Sequence, residues 1–170
     1  MQYLTRHLQD LETEESYISP DKPRMSAASL HRYLSKLMYS RRNKFDPLWN
    51  QLLVGGLDED DKPFIACADL RGTTYSAPCL ATGYGAMLAV PIMRKTVPDD
   101  AAVQKVTQEE AIAVIKECMK VLFYRDARSL DRYSIAVVTK EGVDLKLDEK
   151  LESQSWAFAE RIKGYGTQVV

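Results

Sequence analysis

Two apolar runs, Trp49 to Leu57 and Phe64 to Leu70, stand on either side of the acidic stretch Asp58, Glu59, Asp60, Asp61. A connection this short and this charged lets the chain reverse direction but not cross over, because a parallel pair needs a dozen or more connecting residues. The runs are therefore expected as an antiparallel hairpin, and a parallel nucleotide-binding sheet is disfavoured. A second pair, Tyr133 to Thr139 and Val143 to Leu147, joined through Glu141 and Gly142, repeats the arrangement. Thr73 to Ser76, after Gly72, adds a short third strand to the first group.

Between and around these pairs the apolar spacing becomes helical. Leu4, His7, Leu8 and Leu11 predict a first helix, and Ser16 to Arg24, with Pro20 and Pro23, predicts its break. Ser26 is placed to cap a second helix with the face Leu30, Tyr33, Leu34, Leu37, Met38, ending in Ser40, Arg41, Arg42, Asn43, Lys44. Cations there complement the helix dipole. Thr82 to Gly85 leads into a helix over Ala86 to Lys95, in which Pro91 is expected to make a kink. Its glycines mark a close backbone approach or an unusual turn.

Thr107 and Glu110 form a capping box, behind which Ala111, Ile115, Cys118, Met119 and Leu122 predict a helix reaching Arg128. Trp156, Ala159 and Ile162 predict a last short helix, stopped by Gly164, with Tyr165 to Val170 as a tail. The order argues an α+β fold, a single domain over residues 1–170, with helices layered on two thin antiparallel sheets. Helices on both sides of so few strands place further strands before Met1, so the domain is expected to be truncated at its N-terminus.

Composition removes several functional classes. With 23 Lys plus Arg against 24 Asp plus Glu, the net charge of −1 creates no long-range field for nucleic acid or an anionic membrane. No apolar run approaches the roughly 20 residues of a membrane helix. Cys67, Cys79 and Cys118 make no CxxC pair and sit in apolar segments as small hydrophobes, which suits a reducing compartment, cytoplasmic or nuclear. His7 and His31 have no ligand spacing to a second metal-binding side chain, and no cofactor is expected. The Asp58 to Asp61 run has the charge of a calcium loop without its alternating ligands, and reads as a solvated turn. Gly83 to Gly85 is no phosphate loop, since GxGxxG spacing and a following Lys-Ser/Thr are both absent. Tyr39 to Lys44 is a basic patch that fits docking on a protein neighbour as well as contact with phosphate.

Three stretches in order, Asp46-Pro-Leu-Trp-Asn50 leading into Gly55-Gly56, Pro78-Cys-Leu-Ala-Thr-Gly-Tyr-Gly-Ala86, and Tyr124-Arg-Asp-Ala-Arg-Ser129, resemble the beta-type subunits of the proteasome core. These belong to the N-terminal nucleophile hydrolase superfamily. The similarity runs from about residue 1 to the end. It is nearest to the noncatalytic seventh-position subunits, type 4 in vertebrate naming, and the ending Lys163-Gly-Tyr-Gly-Thr-Gln168 is most similar to fungal versions. The resemblance implies a four-layer αββα sandwich whose first strands carry an N-terminal threonine nucleophile in active members. That chemistry needs the threonine's own amine as base and a lysine to tune it, and Met1 substitutes for neither.

Asp126 and Ser129 match the aspartate and serine that orient the threonine in active subunits. Tyr84 stands where the family has a serine between glycines, and Leu130 where active members carry glycine, so both depart from the active pattern. The expected role is structural: a protomer of a beta ring, with other alpha and beta subunits as partners in its own and the opposite ring. The tail residues Tyr165, Gly166, Thr167, Gln168, Val169 and Val170 are the expected partner-binding element. A threonine-type endopeptidase with Asp126 and Ser129 as live site residues is the competing expectation, and a free-standing binding module the third. Without any family, Arg125, Asp126 and Arg128 read as an ion-pair cluster at a helix C-terminus.

Overall fold

The computed structural model of the chain describes residues 2–21 and 24–160. Helix α1 spans Gln2–Ile18 and helix α2 spans Ala27–Asn43. The first runs past Ser16, where a break was expected. Thr13 Oγ1 donates to the Gln9 carbonyl at 2.8 Å and Ser16 Oγ to the Thr13 carbonyl at 2.7 Å, so both hydroxyls bond back into the helix instead of competing with it. The turn at Pro20 ends it. Ser26 caps α2 as expected, its Oγ accepting from Ser29 N–H at 3.0 Å, and Arg41 and Arg42 occupy the last turn.

Strands β1 (Gln51–Leu57), β2 (Pro63–Asp69) and β3 (Thr74–Ser76) form an antiparallel sheet in that order, with Leu53 opposite Cys67. Pairing begins two residues after Trp49, because Asn50 N–H turns back to the Leu48 carbonyl at 2.7 Å. Proline opens β2, where its missing N–H costs no ladder bond. Leu4, Leu34 and Val54 make the core between the helix pair and this sheet, with Leu8, Leu30 and Leu52 packed around them. Gly56 is required there: a Cβ on it would lie 2.7 Å from the Ala27 Cβ. His7 Nε2 and the Tyr33 hydroxyl are hydrogen-bonded at 2.6 Å across α1 and α2, and His31 Nε2 donates to the Cys67 carbonyl at 2.9 Å. Both histidines serve packing between elements.

Helix α3 (Gly85–Thr96) continues through Pro91, and a four-residue helix α4 (Asp100–Val103), capped by Asp99, was not foreseen. Helix α5 (Gln108–Arg125) opens with the expected reciprocal box, Thr107 N–H to Glu110 Oε2 at 2.9 Å and Glu110 N–H to Thr107 Oγ1 at 3.3 Å. It stops three residues short of Arg128, because Asp126 turns extended at φ −102° and ψ 107°. Cys79, Ala89, Met93 and Cys118 form a second core between α3 and α5.

Strands β4 (Arg132–Thr139) and β5 (Gly142–Lys150) make a two-stranded antiparallel sheet, and β4 lies near β1. Lys140 and Glu141 are the turn; Gly142 belongs to the strand, opposite Thr139. Ile135 and Val137 pair with Lys146 and Asp144 and share a shallow cleft with Ile112 and Lys116 of α5. On the other face Ala136 and Val138 pair with Leu145 and Val143. That face is bare: Val143, Leu145 and Leu147 are 63%, 55% and 66% exposed. Helix α6 (Ala157–Glu160) begins after Trp156, and the remaining expectations for it, Ile162 and Gly164, fall outside the described residues. The architecture is α+β with antiparallel sheets, three strands and two, carrying helices.

Candidate functional site

The matched stretch Asp126 to Leu130 forms the exit of α5. Ser129 Oγ lies 2.6 Å from the Asp126 carbonyl, 3.1 Å from that of Leu122 and 3.4 Å from that of Phe123. The Leu122 carbonyl also accepts from Asp126 N–H at 2.7 Å and the Asp126 carbonyl from Ser129 N–H at 3.0 Å, so the hydroxyl reinforces a turn that the backbone already closes. Asp126 Oδ1 accepts from Arg128 N–H at 3.0 Å. The two residues therefore reinforce the helix end. Neither Arg125 nor Arg128 forms an ion pair with Asp126, and the expected ion-pair cluster is replaced by a side-chain-to-backbone turn. Leu130 is 73% exposed, and Tyr84, 58% exposed, occupies the N-cap of α3 without a capping side-chain bond. Gly83 before it takes φ +60°, the unusual turn anticipated for these glycines.

The acidic turn is ordered by its own main chain and by α2. Asp58 Oδ1 accepts from Asp60 N–H and Lys62 N–H, while Glu59 Oε1 accepts from Ser26 Oγ at 2.6 Å and Ser29 Oγ at 2.8 Å. Those hydroxyls, Ser26 first, hold the Glu59 carboxyl down to about 2. Among the described residues no three His, Cys, Asp or Glu side chains are grouped to hold a metal ion. No described helix is long and apolar enough to cross a membrane. The three cysteines are free and buried, and burial pushes the Cys79 and Cys118 thiols up.

Arrangements suited to contact with other proteins lie elsewhere. In the basic stretch, Arg42 sits over the Tyr39 ring and Arg41 pairs with Asp46 at 2.8 Å. Phe45 and Trp49 beside it are 96% and 83% exposed. A second arrangement escaped the sequence reading. Tyr124 meets Trp156 and Phe158 edge-on with centroids 5.1 and 5.5 Å apart, and its hydroxyl accepts from Ser155 N–H at 2.6 Å. Phe123 packs at 6.0 Å from Trp156. The signal was the aromatic density of Phe123-Tyr124 and Trp156-x-Phe158, of which only Trp156 is expected on a helix face and Tyr124 at the start of a motif. The cluster fixes the chain just before the tail; Tyr165, Gly166, Thr167, Gln168, Val169 and Val170 lie outside the described residues.

Comparison with known proteins agrees with the resemblance drawn from the motifs. The proteasome subunit family model matches residues 1–138. The probable proteasome subunit beta type-7 of Schizosaccharomyces pombe is 50% identical over 170 residues, covering 99% of this chain and 64% of its own length. The proteasome subunit beta type-7 of Saccharomyces cerevisiae is 40% identical over 174 residues, covering 100% of this chain and 65% of its own. The beta type-4 subunit of Xenopus laevis is 37% identical, with 96% and 65% covered. The chain thus spans just under two thirds of the length of these relatives, and on the match across most of its residues it belongs to the proteasome subunit family.

Proposed function

We propose that the chain is a noncatalytic, structural beta subunit of a proteasome core particle, supporting beta-ring assembly and ring-to-ring joining for ubiquitin-dependent protein degradation. Its partners on this reading are other alpha and beta subunits, within the ring and across it, in cytoplasm and nucleus. The observation that carries it is the bare apolar face of β4 and β5. A free monomer seldom leaves a contiguous strip such as Val138, Val143, Leu145 and Leu147 in water, whereas a protomer in a layered assembly covers it. The same strip favours the four-layer αββα sandwich and speaks against a free-standing binding module.

A structural role also fits Asp126 and Ser129, both spent on the end of α5, and the bulky Tyr84 and Leu130 at positions where active members are small. The competing threonine-type endopeptidase would need those two side chains turned toward a nucleophile. Residues 165–170 are the element assigned to the opposite ring. The test is intact mass and N-terminal sequencing of the subunit recovered from purified core particles, with peptidase activity of particles carrying Ser129→Ala. Recovery in particles whose activity is unchanged by that substitution supports the proposal; absence from particles, or loss of one peptidase activity, refutes it.

A further inference from the structure

We propose that Phe45, projecting from the C-terminal end of α2, is an anchor by which this chain engages a neighbouring subunit, entering an apolar pocket rimmed by carboxylates. The proposal rests on the assembly reading and names one contact within it. Helix α2 ends in the two backbone bonds of a Schellman turn, Phe45 N–H to the Arg42 carbonyl at 3.0 Å and Asp46 N–H to the Arg41 carbonyl at 3.1 Å. Such a turn puts the residue after the cap in the left-handed region, where glycine is the usual occupant because it has no Cβ to clash. Here that residue is a phenylalanine at φ +56°, and a bulky side chain there is strained. The strain has no return within the chain, since Phe45 is 96% exposed. Nor is the segment loose: Arg41 holds Asp46 from Nη2 to Oδ2 at 2.8 Å and from Nε to the Asp46 carbonyl at 2.9 Å, and Leu48 packs on the core of Leu4, Leu34 and Val54. A ring fixed in water against both its backbone and its hydrophobic preference has the form of a preorganised anchor, with much apolar area to bury and little left to order on binding. Trp49, 83% exposed, widens the apolar contact.

Charge selects the rim of the pocket, and it is counted over every element that reaches this end of α2. Helix α2 and the segment to Asn50 hold Arg32, Lys36, Arg41, Arg42 and Lys44 against one acid, Asp46, which Arg41 already takes. Helix α1 arrives with its first turns, Arg41 lying 5.7 Å over the Tyr3 ring, and residues 2–9 contain Arg6 and no acid. On the sheet side, where Gly72 meets Tyr39, Asp69 is paired with Arg71. The acidic turn Asp58 to Asp61 lies at the other end of α2, where Glu59 meets Ser26 and Ser29. Arg42, over the Tyr39 ring, and Lys44 form no ion pair among the described residues. The helix dipole accounts for cations here but not for Phe45. Carboxylates around a pocket that takes the ring would complement both cations. Two free cations are few for a phosphate backbone, whose binders neutralise several charges at once, so a protein partner is favoured over nucleic acid.

The test uses Phe45→Gly, which relieves the backbone strain and removes the ring together. The full chain carrying it should melt at the parent's temperature or up to about 4 °C above it. Co-expressed with the other core-particle subunits, the variant should enter particles more than about tenfold less than the parent. An earlier melt would show that the ring serves the fold, and normal incorporation would show that nothing receives it; either overturns the proposal. The occupant is read from Phe45→p-benzoylphenylalanine, with particles purified, irradiated and mapped by mass spectrometry. The expected cross-link is to a partner peptide with Asp or Glu beside apolar residues, reduced about threefold by Arg42→Gln with Lys44→Gln. The same change in charge made elsewhere on α2, Arg32→Gln with Lys36→Gln, should leave it within about 1.5-fold. A cross-link to nucleic acid or to a peptide without acids, or equal losses from the two pairs, overturns the proposal. Should the parent chain enter no particle, the assembly reading falls and the anchor with it; should particles form while residue 45 cross-links only within its own chain, the anchor alone falls.

Discussion

Replacing Leu145 by lysine separates what the β4–β5 face does in the isolated chain from what it does in an assembly. Full burial of a Val or Leu side chain is worth about 1.5–3 kcal/mol. Val143, Leu145 and Leu147 still have 63%, 55% and 66% of their surface open, so roughly 1–2 kcal/mol per residue remains to be gained, or about 4 kcal/mol for the three. That corresponds to about a thousandfold in association. Leu145→Lys forfeits its share and adds the cost of an ammonium in an apolar layer, several kcal/mol when unpaired. In the isolated chain the position is solvated, and the change should stay within about 0.5 kcal/mol, as surface substitutions do. The expected outcome is therefore a split. Thermal melts of the isolated chain shift little and its aggregation falls, while the amount of variant found in core particles drops by more than about tenfold. A stability loss above about 1.5 kcal/mol in the isolated chain would show that the face is already covered, and normal incorporation would show that nothing covers it later; either result refutes the reasoning.

Glu59 gives a pH dependence with a defined sign. Its carboxyl lies at about 2 in the folded chain against an ordinary 4.5, so its contribution is present above pH 4.5 and lost as pH falls from there towards 2. Denaturation of the chain and of Glu59→Gln should differ at neutral pH and converge across that window. Thr107→Ala removes one half of the reciprocal box on α5 and should cost about 1 kcal/mol in urea unfolding. Cys79 and Cys118, 8% and 3% exposed with raised thiols, should react with a thiol reagent only at the rate of opening, and faster in mild denaturant.

Elements whose ends are written in local chemistry were legible in the sequence. Ser26 and the Thr107–Glu110 box set two helix starts to the residue, and apolar runs around charged turns gave both hairpins. What was not legible depended on where hydroxyls found acceptors. Pro20 and Pro23 place the break from Ser16 onward, yet Ser16 Oγ bonds back to Thr13 and stays helical; Asp126 is expected helical and ion-paired, yet its carboxylate takes the Arg128 N–H. Spacing alone does not distinguish those alternatives. At the candidate site the sequence identified Asp126, Ser129, Tyr84 and Leu130 by likeness but not that Ser129 would be spent on carbonyls. The aromatic cluster of Tyr124 with Trp156 and Phe158 joins residues some thirty positions apart, a distance no helical period reports.

The bonds from Ser26 and Ser29 to Glu59 also bear on the order in which the chain folds. They fasten the start of α2 to the tip of the β1–β2 hairpin across sequence separations of 33 and 30 residues, while Gly56 lets Ala27 close against the same strand. Contacts spanning that little chain close quickly, well before pairings that need the whole sequence. Amide protons of α2, β1 and β2 should accordingly exchange with solvent as one cooperative unit, with a common opening free energy, whereas β4 and β5 should exchange on their own and earlier.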